Sequence, residues 1–478
     1  MKKIHDFFSF YFRESVIIFT LFITCAYYFQ GGFSNVNTRL DLALSLLLEN
    51  TFSIDTFHRN TIDKVLIDSH FYSEKAPGVS YLIYLVLFPL SFFISSEIVL
   101  ENIEMANFIL YLSTVVVSGG STTIAALFFY KILKLLKLSE KNASIITLFT
   151  FLGSMLLPYS TTLFSHQISA NLIIISFYYY LKSRKNFRMI PLFFLIVSFI
   201  PFFEFTLTPV SMILLISFFI RENLKDYVKY IPIILVPLIC ILAHNYFSYG
   251  SVLSIGYDKL QGSPFETGMS RGFVGLSFPK VDVLIFLLFS FYKGFFIFNP
   301  ICIYPIFNIN GVLKGDKYLT YPLFIIILIL FLINSSYFYW QGGNCFGPRH
   351  LVPLIPVWMI LFSKSYSKNN GILLFLFLLS FSINFVGTSV DVFLPERILN
   401  PIIFVFEKFI NGSISLNKND FVTNFYDGNY TFQGVSVGSG AWNLGERMGL
   451  SGLWSIFSLF TVHLISFLIL LRFKGKKS

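Results

Sequence analysis

Apolar runs of the length that crosses a bilayer recur from one end of this chain to the other. Examples are Ser15 to Phe33, Met105 to Tyr130, Tyr230 to Ser248, Leu319 to Ser336 and Gly371 to Thr388. A run of about 20 apolar residues spans the hydrocarbon core as a helix, because only a helix satisfies its own backbone polar groups in lipid. The composition agrees. Over 478 residues, 55% are hydrophobic and only 13% charged, too little polar surface to cover a soluble globule of that size. The runs lack the ten-residue alternation of barrel strands. The expected class is therefore an all-α integral membrane protein, a polytopic helical bundle.

Positive charge sets the expected orientation. Basic clusters recur at Lys2, Lys3 and Arg13, at Lys131 to Lys141, at Lys182 to Arg188, at Arg221 to Lys229, at Lys314 and Lys317, at Lys364 and Lys368, and at Arg472 to Lys477. If all of them face the cytoplasm, the chain crosses the cytoplasmic membrane about twelve times with both termini in the cytoplasm. The spans fall near 15–33, 105–130, 143–160, 166–181, 189–203, 205–220, 230–248, 296–311, 319–336, 350–363, 371–388 and 450–471. The first reads as a retained anchor, since no small-residue cleavage site follows it. This count leaves no room for full crossings at Gly78 to Ser96 or Val283 to Ser290, which are expected to be re-entrant or interfacial helices. The formal net charge of +10 is then an orientation signal. No finger, basic stripe or RNA-binding signature suggests a nucleic-acid partner, and four scattered cysteines suggest no disulfide framework.

The chain reads as one domain, 1–478, with external segments at 34–104 (the first loop and its juxtamembrane helices), around Tyr249 to Asp282, at Ser335 to His350, and at 387–450. The first loop holds Asp41, Asp55, His58, Asp63, Asp68, His70, Tyr72, Glu74 and Lys75. A protein that only spanned lipid would have no use for so many titratable groups in one loop. External cations inside otherwise apolar or Gly-rich segments, namely Lys75, Arg271, Lys293 and Arg349, suit an anionic group. Asp55, then Asp41, then Asp63 are the expected carboxylate bases. His70, Tyr72, His166, Glu204 and His350 are expected to contact substrate, His166 and Glu204 because ionisable groups at membrane depth are rare. His58 and His70 lack a tight ligand spacing, so no metal is expected.

Each choice has a plainer alternative. Lys75 can snorkel at the interface, Asp41 can cap a helix, Asp55 can be a solvated loop carboxylate, and Arg271 and Lys293 can terminate interfacial helices. The Pro77-Gly78 break after Lys75 favours a shaped turn.

The order of these elements resembles the polytopic GT-C glycosyltransferases, which include the protein O-mannosyltransferases and the lipid A aminoarabinose transferases. The resemblance rests on a first external loop opening with a short polar motif and helix (Asn35-Val36-Asn37-Thr38-Arg39), Lys75-Ala76-Pro77-Gly78 ahead of an interfacial helix, and a late Arg349 followed by Pro353 and Pro356. It implies a GT-C fold and inverting, metal-independent transfer of a sugar from a polyprenyl-phosphate donor to a glycan, lipid or protein acceptor on the outer face. The family places an Asp, often Asp-Glu, where this chain has Asn35 and Asn37, so the base must lie elsewhere. Two other classes fit the same composition: a transporter or flippase, and a noncatalytic subunit that binds a polyprenyl-linked lipid. A transporter would carry polar residues through many spans; here polarity gathers on one face.

Overall fold

The computed structural model describes residues 2–222, 224–260, 263, 265–308, 316–361, 363, 370–423 and 440–472. It is a helical membrane protein. Five helices among these residues are long and apolar enough to cross a bilayer: Ile103–Leu135, Val228–Tyr249, Lys317–Ser336, Gly371–Val390 and Trp454–Arg472. Of the other expected spans, the first lies largely in the continuous helix Lys2–Tyr27 and that at 166–181 in Ser165–Ser183, while several are shorter or interrupted for local reasons. The stretch expected at 143–160 stops at Leu152 and resumes at Leu156. That expected at 296–311 is a short helix, Phe295–Phe298, followed by a 3-10 run, Pro300–Asn308, whose two prolines lack the N–H an α-helix needs. The stretches 189–203 and 205–220 form Ile190–Phe203 and Thr208–Arg221, separated at Glu204. Residues 424–439 of the expected last external loop, and the basic tail beyond Arg472, lie outside the described residues.

The two segments denied full crossings are short. Gly78–Leu90 is about 20 Å long at 1.5 Å per residue, and Val281–Phe289 is shorter still. Neither reaches across about 30 Å of hydrocarbon.

The first loop is bound tightly to the bundle. After the helix Lys2–Tyr27, Tyr28 and Phe29 pair antiparallel with Asn443 and Trp442, which ties the loop's start to the segment that precedes the helix Trp454–Arg472. The helix Ser34–Leu44 is buried at every position despite its polar sequence. Its polar side chains meet the loop's own backbone: Asn37 Nδ2 donates to Asn60 O at 2.8 Å, and Thr38 Oγ1 donates to Asp63 O at 2.7 Å. A hairpin follows, Lys64–Ile67 paired with His70–Ser73, closed by Asp68 and Ser69, both at positive φ as a tight hairpin turn requires. Val65 on this hairpin joins Tyr249, Leu260 and Met269 in a second, smaller apolar core, with Tyr72, Tyr257 and Tyr337 packed around it. This core fastens the first loop to the segment after Tyr249.

Gly78 shows why the Lys75-Ala-Pro-Gly turn has its form. A β-carbon there would lie 2.7 Å from the Phe203 ring and 2.8 Å from the Phe202 carbonyl oxygen. With no side chain, the interfacial helix abuts the end of Ile190–Phe203, and Lys75 is brought to the level of Glu204.

Candidate active site

The tight first loop, the turn at Glu204, the segment after Tyr249 and the loop before Arg349 enclose a cavity of about 320 Å³, within the range of small-molecule sites. One part of its wall is charged, with Asn35, Arg39, Asp63, Glu74, Lys75, His166, Glu204, Arg349 and His350. Another is apolar, including Phe205, Leu207, Phe273, Val274, Leu330 and Ile333. Tyr257, Tyr337 and Tyr339 add hydroxyls to aromatic faces. Leu330 and Ile333 belong to the long apolar helix Lys317–Ser336, so the cavity is walled in part by a candidate membrane span.

A buried ion cluster occupies the charged wall. Lys75 Nζ lies 3.0 Å from Asp63 Oδ1 and 2.5 Å from Glu74 Oε1, with all three side chains at most 12% exposed. Asp63 Oδ2 accepts a bond from Ser34 Oγ at 3.0 Å. Burial, the largest single influence, pushes the Asp63 carboxyl upward, but Lys75, Arg349 and the Ser34 hydrogen bond together hold Asp63 below its ordinary value. Burial pushes Glu74 up to about 7, helped by the neighbouring Asp63 charge and opposed by Lys75. The two carboxylates in turn raise the Lys75 ammonium, so it stays charged despite its burial.

Beside this cluster Arg39 donates to Asn35, through the backbone oxygen and through Oδ1 at 2.5 Å, and reaches Ser165 Oγ at 3.0 Å. Ser165 passes the contact on to Glu204 Oε2 at 2.6 Å. His166 Nδ1 lies 3.4 Å from the same oxygen, and its ring meets the His350 ring edge to face at 4.9 Å between centroids.

Arg349 differs from Lys75, and it shares an unpartnered Nε and the lack of an adjacent carboxylate among the described residues with Arg39. Arg349 is 9% exposed, its Nε has no hydrogen-bond partner, and no carboxylate lies within ion-pair distance among the described residues. The guanidinium rests over the Phe164 ring at 4.9 Å. A buried guanidinium left without a counter-ion is costly.

Of the residues singled out in the sequence, Asp63, Lys75, His166, Glu204, Arg349 and His350 line this one cavity. The others stand elsewhere. Asp55 pairs with His70 at 2.7 Å on the surface, with side chains 39% and 59% exposed. The cause is the hairpin, which puts His70 at its exposed end, where Asp55 also accepts from the Phe71 amide at 2.7 Å. Asp41 is fully buried on the far side of its helix, hydrogen-bonded to Asn60 Nδ2 at 3.0 Å, and burial raises its carboxyl well above the ordinary range. Tyr72 packs in the small outer core, and Arg271 is exposed outside the cavity lining. Lys293 is buried, but its ammonium points into the loop that precedes Arg349, donating to Cys345 O at 2.7 Å and lying 3.1 Å from Cys345 Sγ.

The sequence reading gave no role to several polar groups in the wall, among them Arg39, Glu74, Tyr257, Tyr337 and Tyr339. Glu74 carried a signal, as the only carboxylate adjacent in sequence to Lys75 in the Lys-Ala-Pro-Gly turn. Tyr257 and Tyr337 carried none, since their arrival depends on the outer apolar core. Among the described residues no cluster of three or more His, Cys, Asp or Glu side chains is arranged to hold a metal ion.

No family model matches this chain, and no curated protein does. Among solved structures, the chain is similar to ArnT from Cupriavidus metallidurans in the apo state. The similarity covers 74% of this chain and 58% of that one, at 12% sequence identity and a TM-score of 0.47.

Proposed function

We propose that this protein is a membrane glycosyltransferase that takes a sugar from a polyprenyl-phosphate donor and transfers it to a glycan, lipid or protein acceptor at the outer face of the cytoplasmic membrane. The observation that carries this reading is Arg349, a buried cation without a counter-ion in a cavity that also holds carboxylates and has an apolar wall. A glycosyl phosphate leaves as a phosphate anion, and a preorganised guanidinium at the leaving oxygen stabilises the charge that develops there. The acceptor hydroxyl must lose its proton as its oxygen bonds to the anomeric carbon. The Asp63–Lys75–Glu74 cluster supplies carboxylates in the same cavity. Leu330, Ile333 and the Phe205 to Leu207 turn offer apolar surface to the polyprenyl chain.

Charge supports one phosphate. Lys75 is already engaged by two carboxylates, and Arg39, although its Nε lacks a partner as that of Arg349 does, donates to Asn35 and to Ser165, which donates in turn to Glu204; Arg349 makes no ion pair among the described residues. A monophosphate diester donor carries a single charge and matches it.

Mass spectrometry of surface glycans and lipids, with and without the gene, tests the proposal. It expects one sugar to disappear from one acceptor and to return on complementation. Unchanged glycans and lipids would contradict it.

A further inference from the structure

The cavity's three carboxylates present six oxygens, and hydrogen bonds distinguish them. Asp63 uses both, one on Lys75 at 3.0 Å and one on Ser34 at 3.0 Å. Glu204 uses both, accepting from Thr206 Oγ1 at 2.9 Å and from Ser165 Oγ at 2.6 Å. Glu74 gives Oε1 to Lys75 at 2.5 Å, while its Oε2 is buried with no partner among the described residues. Of the six, Oε2 alone accepts no hydrogen bond among the described residues, which leaves it to take one from an incoming acceptor O–H.

We propose that Glu74 is the proton acceptor of the transfer reaction, and that Asp63 and Lys75 are positioning residues that fix its place and its charge. This rests on the glycosyl-transfer reading above. In the step, the acceptor O–H gives its proton to Glu74 Oε2 and the oxygen's electron pair forms the bond to the anomeric carbon. The bond from that carbon to the phosphate oxygen breaks, its electron pair leaving with the polyprenyl phosphate, which Arg349 receives.

The backbone at Glu74 is held from two sides. Tyr249 Oη donates to the carbonyl of Ser73 at 2.7 Å. Gly256 packs so closely that a β-carbon there would lie 2.5 Å from the Glu74 Cα. Such fixation suits a group that must meet one incoming proton at one place. The charge environment agrees: with burial and Asp63 raising it and Lys75 opposing, Glu74 titrates near 7, where a general base combines adequate basicity with adequate ionisation. Tyr249, Tyr257 and Tyr337 are the other titratable groups that feel it.

The test uses full-length protein in liposomes, with the donor and acceptor identified by the surface-glycan comparison. Glu74→Gln is expected to lower kcat by about 10² to 10⁴ with little change in donor KM. The wild-type rate should fall on the acid side as pH drops through about 7, because protonated Glu74 cannot accept a proton. Asp63→Asn removes the neighbouring negative charge, so that limb should move to lower pH, a displacement that a structural role for Asp63 would not produce. Glu74→Gln keeping more than a tenth of wild-type kcat overturns the assignment, as does an acid limb that Asp63→Asn leaves in place. If Glu74→Gln does not fold, the Asp63→Asn limb decides. A wild type that yields no product at all instead refutes the transferase reading itself, so the two failures are distinguishable.

Discussion

Replacing Arg349 by Gln should make the empty protein more stable and the enzyme much worse. The guanidinium is buried with no carboxylate within ion-pair distance among the described residues, and it rests against the Phe164 ring at 4.9 Å. A desolvated cation–π contact is worth about 2 kcal/mol, whereas leaving a buried charge unpaired costs about 3 to 5 kcal/mol. The difference predicts a gain on the order of 1 to 3 kcal/mol for the unliganded variant. Glutamine keeps a donor but loses the charge and the fork. A charge-assisted bond contributes about 1.5 to 3 kcal/mol, so losing two of them to a phosphate predicts a fall in kcat/KM of about 10² to 10⁴. The assay pairs thermal unfolding in detergent, with and without added polyprenyl phosphate, with turnover of the identified donor. Polyprenyl phosphate should stabilise the wild type and not the variant. A variant that melts well below wild type while turning over normally would refute the reasoning, because Arg349 would then be a structural cation.

Four further outcomes follow from the same geometry. Lys75→Met leaves Asp63 and Glu74 buried without their shared cation and should destabilise by about 3 to 5 kcal/mol, read as a lowered melting temperature at pH 8. Glu74 has its folded pKa raised above its unfolded value, so its stabilising contribution is full in acid and is lost as pH rises through about 7; melting curves from pH 4 to 8 should show wild type losing stability relative to Glu74→Gln over that interval. Asp55→Asn removes only an exposed pair with His70, worth about 0 to 1 kcal/mol, and should change turnover less than about twofold; a loss of 10² or more would return Asp55 to the role of base. Gly78→Ala forces a methyl against Phe203 and the Phe202 carbonyl, and a melting temperature unchanged from wild type would contradict the expected overpacking cost of about 1 to 3 kcal/mol.

The sequence discloses the bilayer more clearly than the site. Long apolar helices such as Lys317–Ser336 and Gly371–Val390 are legible because their composition alone dictates where they reside. Gly78–Leu90 is short, and so are Phe187–Phe203 and Phe205–Arg221, which charge parity treats as crossings. The interruptions after Leu152 and between Phe298 and Pro300 are less legible, since hydropathy averages over them. At the site, Lys75 and Arg349 stand out as cations in Gly- and Pro-marked turns, and both reach the cavity. Asp55 stands outside the cavity lining, because hairpin register places it beside His70 at the surface, a pairing that sequence neighbours do not disclose. Asp41 lies one helical turn from the Asn35-Asn37 motif, yet that turn carries its carboxylate to the sealed side, toward Asn60. Glu74 depends on which carboxylate oxygens are already occupied, a fact settled only by three-dimensional contacts with Ser34, Ser165 and Thr206.

Release of free polyprenyl phosphate tests the central claim most directly, because every sugar and every acceptor would yield the same leaving group. Purified protein in liposomes made with lipid extract from its own host should liberate polyprenyl phosphate over time, and Arg349→Gln should nearly abolish that release. Lipid-linked sugar that moves between leaflets intact, with no polyprenyl phosphate liberated by wild type, would contradict the account and identify a flippase.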